Sequence, residues 1–331
     1  MKAAVLNATA DLSVQDMPDP VSGPGEVVIA VTLAGVCGSD YSLYNGKFGV
    51  PLPVVPGHEG MGVVEDVGPG VSNVSVGQRV VIQPNFACWD CDLCRSGLDN
   101  ICHEKVRLGI DINGVFARYV KVPSRYAWPV PEGIDDRTAA LAEPLAVAAH
   151  ALKILSPGEG DRVLIIGAGV IGLLTLLLAR LHKARVTVSD LLAEHLALAA
   201  KMGAHRTFLV GGGEELEPSS FDLIYETSGA PSGLATAIGL AAPGARIALL
   251  GLPGEAHPVL TTQIVRKELT IKGSMIYTDE FPGVLELLKS GRIDPTPLIS
   301  GVIGLEELDS AIRNFHAPNR IKVLVSLPGE G

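Results

Sequence analysis

The chain has 331 residues, a formal net charge of −10 and a hydrophobic fraction of 47%. This length predicts two domains, and the apolar content excludes a disordered chain. The negative charge is spread without a basic tail, which argues against a nucleic acid or an anionic membrane as a partner. No signal peptide is recognisable, and the longest apolar run, near residues 170–179, is too short to cross a bilayer. We therefore expect a cytoplasmic protein.

Residues 1 to about 85 are rich in short β-branched runs, such as those at 5–6, 27–31, 61–67 and 79–82. Glycine, proline and asparagine separate these runs where turns are expected. The spacing predicts a β-rich domain built as a small, partly closed barrel.

A candidate metal site lies inside this β-rich region. His58 and Glu59 place an imidazole beside a carboxylate, Cys37 stands 21 residues earlier, and Glu143 follows far downstream. A His-Glu pair alone is common on protein surfaces. A cysteine, a histidine and a glutamate that leave a fourth position for water are, however, the ligand set of an open, catalytic zinc ion.

Four further cysteines stand at short spacings, at Cys88, Cys91, Cys94 and Cys102. Four thiolates so arranged predict a closed, structural zinc site, which would bring the total to two zinc ions per chain. Buried free thiols or redox-active thiols are the alternative. The chain has five cysteines, an odd number that favours ligands over disulfides in a reducing cytosol.

A glycine-rich segment follows a predicted buried strand at 160–166 and leads into a predicted helix at 173–181. The first glycine would make the tight turn, the second would let a pyrophosphate approach, and the third would let the helix pack on the strand. Free N–H groups at the helix start would bind the phosphates. The candidate cofactor contacts in this segment are Gly167, Gly169, Val170, Ile171 and Gly172.

The next predicted strand, at 184–189, ends at Asp190. An acid at this position accepts the ribose hydroxyls of NAD and repels the 2′-phosphate of NADP. Because Leu191 and Leu192 follow without an arginine, NAD is favoured over NADP. Asp190 could also be the N-cap of a helix predicted at 192–202. We also predict cofactor contacts at Thr227, Leu250 and Gly251.

Apolar strands alternate with helices in the remaining chain, which predicts a parallel, doubly wound sheet. The predicted strands are 221–225, 246–250, 268–273 and 320–325, and the predicted helices are 139–152, 234–241, 281–290 and 305–315.

Together these motifs resemble the zinc-containing medium-chain alcohol dehydrogenases over essentially the whole chain. The resemblance rests on Cys-Gly-Ser-Asp at 37–40, Gly-His-Glu at 57–59 with Gly62, Gly68 and Val71, the four-cysteine lobe, and Glu-Pro-Leu at 143–145. It implies an α/β protein with a GroES-like, β-rich catalytic domain and a doubly wound, parallel-sheet Rossmann domain. The active site is then expected in the cleft between them.

The resemblance also implies domain limits. The catalytic domain would comprise residues 1–146 and 280–331, with the structural-zinc lobe at about 86–104, and the NAD-binding domain residues 147–279. Relatives are dimers or tetramers, so a homodimer or homotetramer is expected. A basic residue five positions after the strand-end acid often covers the adenosine in relatives, and here that residue is His195.

Glu143 in place of a cysteine, together with the segment 267–273, resembles the sorbitol, butanediol and threonine dehydrogenase branch of the family. Two departures concern the active site. Many members carry a histidine shortly after the Cys-Gly-Ser-Asp motif, where this chain has Tyr-Ser-Leu-Tyr at 41–44. Sorbitol dehydrogenases typically carry an arginine where this chain has Ile276, which argues against a highly hydroxylated polyol.

In the resulting hypothesis Cys37 and His58 are zinc ligands, and Glu59 or Glu143 and a water complete the coordination shell. Zinc would lower the pKa of a bound alcohol, and NAD⁺ would accept the hydride. Ser39 would carry the alcohol proton out, unless its hydroxyl only stabilises a turn.

Asp40 would orient the second ring nitrogen of His58, or would be a helix N-cap. Glu143 would alternate with water at the metal, or would simply begin a helix. Tyr44 and Tyr277 are candidates for the substrate cleft, or are simply packed.

The leading functional hypothesis is a zinc- and NAD-dependent oxidoreductase. It would interconvert a secondary alcohol, vicinal diol or polyol and its ketone by hydride transfer, so the expected partner is a small-molecule alcohol or ketone. An L-threonine 3-dehydrogenase-like or a sugar-alcohol dehydrogenase activity is the alternative within this class. A non-catalytic dinucleotide-binding protein and a reductive member without catalytic zinc are weaker, because the candidate ligands are all present.

Overall fold

The computed structural model describes residues 1–327, which form two compact units. The first unit contains Met1–Glu143 and the chain from Phe281 onward, and the second contains Pro144–Glu280. The last four residues of the predicted 280–331 segment lie outside the described residues. The chain therefore leaves the first unit once and returns to it once.

Most of the first unit is β-structure, whereas strands and helices alternate in the second. The described strands are β1 (Lys2–Ala8), β2 (Asp11–Asp16), β3 (Glu26–Gly35), β4 (Glu59–Val67), β5 (Arg79–Ile82), β6 (Asn85–Phe86), β7 (Val106–Arg107), β8 (Tyr119–Pro123), β9 (Ala127–Pro129), β10 (Arg162–Ile166), β11 (Arg185–Asp190), β12 (Arg206–Leu209), β13 (Phe221–Glu226), β14 (Ala241–Leu249), β15 (Thr270–Gly273), β16 (Ile299–Gly304) and β17 (Lys322–Ser326).

The described helices are α1 (Gly38–Tyr44), α2 (Asp92–Arg95), α3 (Asp136–Ala139), α4 (Ala142–Ile154), α5 (Val170–Leu181), α6 (Ala193–Lys201), α7 (Gly233–Leu240), α8 (Thr261–Arg266), α9 (Glu280–Lys289) and α10 (Leu308–Arg313). Single 3₁₀ turns occupy Asp99–Ile101, Ser124–Tyr126, Thr296–Leu298 and Leu305–Glu307. Within residues 1–327, no helix combines the length and the apolar character that crossing a membrane requires.

A seven-stranded mixed sheet organises the first unit. Its strand order is β16-β17-β3-β4-β5-β9, and β8 also pairs with β3. The central strand, β3, is buried over most of its length, as its run of valine, isoleucine and leucine favours. The antiparallel register of β3 and β4 sets Gly35 opposite Glu59. A candidate ligand therefore lies at the end of β3, where Cys37 follows.

Six parallel strands form the sheet of the second unit, in the order β12-β11-β10-β13-β14-β15. The chain moves outward from β10 to β12 and then returns to place β13 on the other side of β10. In sheets of this kind ligands bind outside the carboxyl ends of the strands, where the strand order reverses. The predicted parallel, doubly wound sheet is confirmed.

Two predicted helices are interrupted. The helix predicted at 139–152 begins only at Ala142, as α4, and residue 139 instead ends the short helix α3, because Pro144 has no N–H to donate to the carbonyl of Ala140. The helix predicted at 305–315 begins as the 3₁₀ turn Leu305–Glu307 and continues as α10. Two elements were not predicted from the sequence: α1, which begins with the weak helix formers Gly-Ser-Asp, and the glycine-containing β16.

A buried ion pair joins α4 to Glu280, the last residue of the second unit. Nδ1 of His150 lies 2.9 Å from Oε1 of Glu280, and the two side chains are 9% and 6% exposed. Oε2 of Glu280 accepts a 2.6 Å hydrogen bond from the N–H of Thr278, and Nζ of Lys153 lies 3.2 Å from Oε1. Burial would raise the pKa of Glu280, but the hydrogen bonds from His150 and Thr278 outweigh it and lower the pKa.

We predict that Glu280→Gln lowers the free energy of unfolding by about 1–3 kcal/mol at pH 7, because a charged acceptor is removed from buried partners. The pKa of Glu280 is lowered in the folded state, so its contribution is complete above the unfolded pKa of about 4.3 and is lost as the pH falls through the folded value. Urea unfolding at pH 7 and at about pH 3 measures this effect. The difference in the free energy of unfolding between Glu280→Gln and the parent should be smaller at the lower pH.

The control for this prediction is Glu286→Gln, since Glu286 is an exposed residue of α9. It should change the stability little at either pH. A Glu280→Gln effect of equal size at both pH values would contradict the assigned role of the carboxylate.

Candidate active site

Cys37 stands between the central strand and the first helix of the first unit. Its backbone is extended, and it is the N-cap of α1. The N–H of Cys37 donates a 2.8 Å hydrogen bond to Oδ2 of Asp40, the third residue of that helix. This contact is the carboxylate half of a capping box, so Asp40 fixes the turn that presents Cys37. The alternative prediction that Asp40 is itself the N-cap is therefore wrong.

The loop that presents His58 depends on a glycine. Gly57 has a φ of 93°, and a Cβ at this position would come within 2.8 Å of the Phe116 ring. The N–H of Gly57 donates a 3.2 Å hydrogen bond to Oδ1 of Asp40. Asp40, which is 1% exposed, thus holds the Cys37 turn with one oxygen and the His58 loop with the other.

The side chains of Cys37, His58 and Glu59 converge. Their ligand atoms all lie within 4.8 Å of one another. Nδ1 of His58 lies 3.5 Å from Oδ1 of Asp40. A carboxylate in this position can fix the orientation of an imidazole ring.

The electrostatics of this cluster favour a cation. Burial would lower the pKa of His58, but the charges of Cys37 and Asp40 outweigh burial and raise the pKa well above its ordinary value. An imidazole with a thiol and a carboxylate in reach is a donor set that zinc accepts. The residues present therefore fit the metal that the sequence predicts.

A buried cation beside this cluster was not predicted from the sequence. Nζ of Lys322, on β17, forms an ion pair with Oε2 of Glu59 and donates a 3.1 Å hydrogen bond to the carbonyl of Val36. The side chains of Lys322 and Glu59 are 1% and 2% exposed. Burial would lower the pKa of Lys322, but Glu59, Cys37 and Glu143 outweigh it and raise the pKa. No local pattern could have revealed this contact, because Lys322 lies 286 residues from Val36.

The two other predicted catalytic residues lie nearby in the first unit. Ser39 is partly buried in the first turn of α1. Glu143 is 8% exposed in the first turn of α4, and its charge acts on Lys322. Within residues 1–327, the group of close ligand atoms around Cys37 and His58 contains Glu59 and not Glu143.

The predicted substrate-cleft tyrosines are buried. The hydroxyl of Tyr44 lies 3.0 Å from both the carbonyl of Ala10 and Oδ1 of Asp309, and it accepts a 2.9 Å hydrogen bond from Nε of Arg313. Tyr277 is 1% exposed. Their burial favours the simpler alternative, in which these rings are packed.

Tyr41, in the segment that follows the Cys-Gly-Ser-Asp motif, belongs to an aromatic group with Phe315 and His316. The ring of Tyr41 lies 5.9 Å from that of Phe315 and 4.8 Å from that of His316. A Cβ at Gly38 would come 3.7 Å from Phe315, so the group lies next to the Cys37 turn. Phe315 and His316 have no predicted role, because they come close to this turn only in the folded chain.

The four cysteines of the lobe also converge, with ligand atoms within 4.8 Å of one another. Sγ of Cys88 lies 3.4 Å from Sγ of Cys102 and 3.9 Å from Sγ of Cys94. Backbone N–H groups of Cys94 and His103 lower the pKa of Cys91 to about 6, whereas burial raises the pKa of Cys94 to about 12. Four thiolates this close together would repel one another, and a zinc ion in a closed site would offset that repulsion.

The glycine-rich loop has the geometry of a dinucleotide turn. Gly167 follows β10 with a φ of 100°, and Gly169 is the N-cap of α5. A Cβ at Gly172 would overlap the carbonyl oxygen of Gly167 and come 2.9 Å from Oγ1 of Thr227. A Cβ at Gly169 would meet open space instead. Val170 and Ile171 form the first turn of α5, three residues earlier than predicted.

Asp190 ends β11 beside this loop. Its Oδ2 accepts a 2.6 Å hydrogen bond from the N–H of Ala168, and its Oδ1 accepts a 2.8 Å hydrogen bond from the N–H of Leu192. The N-cap of α6 is Leu192, so the alternative prediction that Asp190 caps this helix is wrong. Nδ1 of His195 lies 3.9 Å from Oδ1 of Asp190. Nε2 of His195 has no hydrogen-bond partner within residues 1–327.

The other predicted cofactor residues are held at neighbouring strand ends. Oγ1 of Thr227 donates hydrogen bonds to the carbonyls of Ile166 and Gly167, at 2.9 and 3.0 Å. The N–H groups of Leu250 and Gly251 both donate to the carbonyl of Glu226, at 2.9 and 3.0 Å. Glu226, a buried acid at the end of β13, was not predicted from the sequence.

A cavity of about 880 Å³ opens beside these residues in the second unit. Its lining includes Gly167, Asp190, Leu191, Ser228 and Arg266. The volume falls in the range of small-molecule and cofactor sites. Gly167 and Asp190 therefore border a space that can hold part of a dinucleotide.

Two protein families match this chain. The alcohol dehydrogenase GroES-like domain matches residues 23–132, and the zinc-binding dehydrogenase domain matches residues 170–290. An L-threonine 3-dehydrogenase from Bacillus velezensis is 35% identical, over 93% of this chain and 94% of its own. A sorbitol dehydrogenase from Arabidopsis thaliana is 32% identical, over 98% of this chain and 95% of its own.

Solved structures agree with these matches. The RspB alcohol dehydrogenase from Escherichia coli CFT073, complexed with NADH, has a TM-score of 0.92 and 34% identity, covering 98% of this chain and 99% of its own. A protein from Sinorhizobium meliloti 1021, described as a zinc-binding dehydrogenase and bound to NADP, has a TM-score of 0.94 and 33% identity, covering 98% of each chain. The chain thus belongs to the zinc-binding, GroES-like alcohol dehydrogenase family, and it is an oxidoreductase of that family.

Proposed function

We propose that the protein interconverts a secondary alcohol, vicinal diol or polyol and its ketone, with NAD as the hydride carrier and zinc at the Cys37–His58 cluster. The convergence of a thiol, an imidazole and a carboxylate around the buried Asp40 carries this proposal. A non-catalytic dinucleotide-binding protein would have no use for such a cluster. We assign catalysis to residues 1–146 and 280–331, and NAD binding to residues 147–279.

In this proposal Cys37 and His58 hold zinc, with Glu59 or Glu143 and a water completing its shell. When bound, the metal supplies Lewis-acid polarisation of the substrate oxygen. Asp40 keeps the imidazole of His58 in one orientation, because two backbone N–H groups already fix its carboxylate. Ser39 takes the hydroxyl proton and passes it towards solvent.

A second zinc ion belongs to the four-cysteine lobe in this proposal, and its role is structural. The short distances between the thiols support this assignment. We place the protein in the cytoplasm, because cysteines that serve as metal ligands fit a reducing compartment.

The proposed substrate class follows from the relatives and from one residue at which this chain differs from the sorbitol enzymes. The named relatives are dehydrogenases of L-threonine and sorbitol. Ile276 replaces the arginine of the sorbitol enzymes, so we favour a simple secondary alcohol or a small diol over a long polyol. L-threonine is the second candidate, because its dehydrogenase is 35% identical over 93% of this chain.

We infer a preference for NAD over NADP from Asp190. Its carboxylate is fixed beside the glycine-rich loop, where it would accept the ribose hydroxyls and repel a 2′-phosphate. The next two side chains are Leu191 and Leu192, which give such a phosphate no cation. Similar structures contain either NADH or NADP, so the inference depends on this residue rather than on the family.

The principal test follows NAD⁺ reduction by the absorbance of NADH. Secondary alcohols, 2,3-butanediol, sorbitol, xylitol and L-threonine form the substrate panel. We expect turnover of one class, loss of turnover with a chelator, and at least about tenfold lower efficiency with NADP⁺, because like charges repel at Asp190.

The matched variant for this test is Cys37→Ser. It should abolish turnover and reduce the zinc content from two ions to one per chain, since the four-cysteine lobe is untouched. Elemental analysis measures the zinc content. Undiminished turnover in Cys37→Ser would exclude the proposed centre.

The glycine-rich loop offers a paired test of cofactor binding. A Cβ at Gly169 meets nothing in the protein but would stand where the pyrophosphate approaches, whereas a Cβ at Gly172 collides with the loop itself. We predict that Gly169→Ala weakens NADH binding by about tenfold or more and keeps the melting temperature. Gly172→Ala should instead lower the free energy of unfolding by about 1–3 kcal/mol.

NADH fluorescence titration and thermal unfolding measure these two effects separately. The Gly172→Ala protein is the control for damage to the loop. Its main effect should be a lower free energy of unfolding rather than weaker NADH binding. Equal effects of the two variants on stability would show that Gly169 is also required by the fold.

We infer self-association through the β15 edge of the second unit. The preceding helix, α8, has no buried residue among those described, and Leu252, Leu260 and Val265 are 82%, 69% and 75% exposed. An unpaired strand edge beside apolar side chains is the kind of surface that a second copy of a chain covers. A homodimer or homotetramer is therefore the proposed state.

Light scattering should give the mass of a dimer or tetramer for the parent and a smaller mass for Val265→Asp, which places a charge in the proposed interface. Val21→Asp is the control, since Val21 is 78% exposed but belongs to the first unit. A monomeric parent protein would contradict the proposed self-association.

A further inference from the structure

One connection of the parallel sheet lacks a helix. Helices α5, α6, α7 and α8 join the other successive strands from β10 to β15, whereas residues 210–220, between β12 and β13, contain none. Three consecutive glycines at 211–213 and Pro218 account for this, because both residue types disfavour a helix. A connection between parallel strands usually covers a face of the sheet with a helix. Residues 210–220 therefore leave space over the sheet.

The cavity of about 880 Å³ lies beside this connection and extends along α7. Ala237 and Ile238 place one face of α7 in the apolar core. The residues of α7 that line the cavity are Gly233, Thr236, Gly239 and Leu240. Because they include the first and the last residue of α7, the cavity extends for about 10 Å, since a helix rises by about 1.5 Å per residue. Its end at Gly233 follows β13, at the same edge of the sheet as Gly167 and Asp190.

Charge is unevenly distributed around this cavity. The acids of its lining, Asp190, Glu214 and Glu215, belong to β11 and to the connection, whereas its cations, Arg266 and Lys267, lie at the end of α8. Nζ of Lys267 donates hydrogen bonds to three backbone carbonyls, so all of its N–H groups have partners. Within residues 1–327, the guanidinium of Arg266 has no hydrogen-bond or ion-pair partner. Arg266 is therefore the cation that the described lining leaves available to a ligand.

The polar groups at α8 fit a carboxylate. Gln263 precedes Arg266 by three residues, so the two side chains are neighbours on one face of the helix, and both line the cavity. A guanidinium binds a carboxylate through two parallel N–H groups, and a primary amide adds a further donor. Leu216, Pro218 and Leu240 supply apolar surface to the same cavity. A cation beside an apolar lining suits an organic acid with an aliphatic chain.

We propose that this cavity binds an aliphatic carboxylate, with its charged group at Gln263 and Arg266 and its chain along α7. The acids on β11 and on the connection repel a carboxylate, so the α8 end is the one that accepts it. A chain of about 10 Å then reaches Gly233 and the edge of the sheet that Gly167 and Asp190 occupy. The carboxylate and the dinucleotide therefore exclude one another. This second class of ligand goes beyond the proposed function, and it would inhibit the enzyme.

Calorimetric titration of the full chain with decanoate, without cofactor or substrate, measures this binding directly. Decanol has the same chain without the charge, and butyrate has the charge without the length. We expect each of them to bind at least about tenfold more weakly than decanoate. In a fluorescence titration with decanoate at about ten times its Kd, the apparent Kd of NADH should rise about tenfold.

Two variants with matched controls locate the binding. Arg266→Gln should weaken decanoate binding at least about tenfold, whereas Arg185→Gln, at an exposed arginine that begins β11, should not. Gly239→Leu should weaken it to a similar extent, because its side chain enters the space that a Cβ at Gly239 meets. Gly283→Leu is its control, since a Cβ at this glycine of α9 also meets open space. Leucine is the better helix former, so neither variant should lower the melting temperature.

Decanoate that does not bind the parent, or that binds no better than decanol, would overturn the proposal. So would an Arg266→Gln or a Gly239→Leu protein that keeps the parent's affinity for decanoate. An NADH affinity that decanoate leaves unchanged would overturn the shared space, and with it the direction of the chain. A smaller mass of Gly239→Leu in light scattering would show that a second copy of the protein fills the cavity instead. The calorimetric result does not depend on turnover with NAD⁺, so it stands apart from the test of the proposed reaction.

Discussion

The candidate site depends on the buried carboxylate of Asp40. It accepts one hydrogen bond from the N–H of Cys37 and another from the N–H of Gly57, and it lies 3.5 Å from His58. These partners come from two separate loops, one after β3 and one before β4. Strand pairing brings the loops together, but the acid gives them a common anchor. Because both of its oxygens have partners, this charge is tolerated in the interior.

Features defined by local spacing could be predicted from the sequence. The four cysteines of the lobe lie within fifteen residues of one another, so their spacing alone brings the thiols together. The glycine-rich loop is likewise a strand, a turn and a helix in direct succession, and α5 indeed follows β10. Alternating strands and helices determined the parallel sheet for the same reason, since each crossover is short and its handedness is restricted.

Features that depend on strand register could not be predicted in this way. Lys322 meets Glu59 only because β17 and β4 both pair with β3, and a lysine in a terminal strand carries no sign of burial. His316 reaches Tyr41 through the same long-range packing. Local propensity also failed at α1, where the capping contact of Asp40 starts a helix that Gly-Ser-Asp alone does not favour.

The two hydrogen bonds of Asp190 bear on how this enzyme could evolve. One oxygen fixes Ala168 in the glycine-rich loop and the other fixes Leu192 before α6. A neutral replacement would therefore remove an anchor of the loop together with the proposed repulsion of a phosphorylated ribose. Nucleotide choice and loop stability are in this sense inherited together.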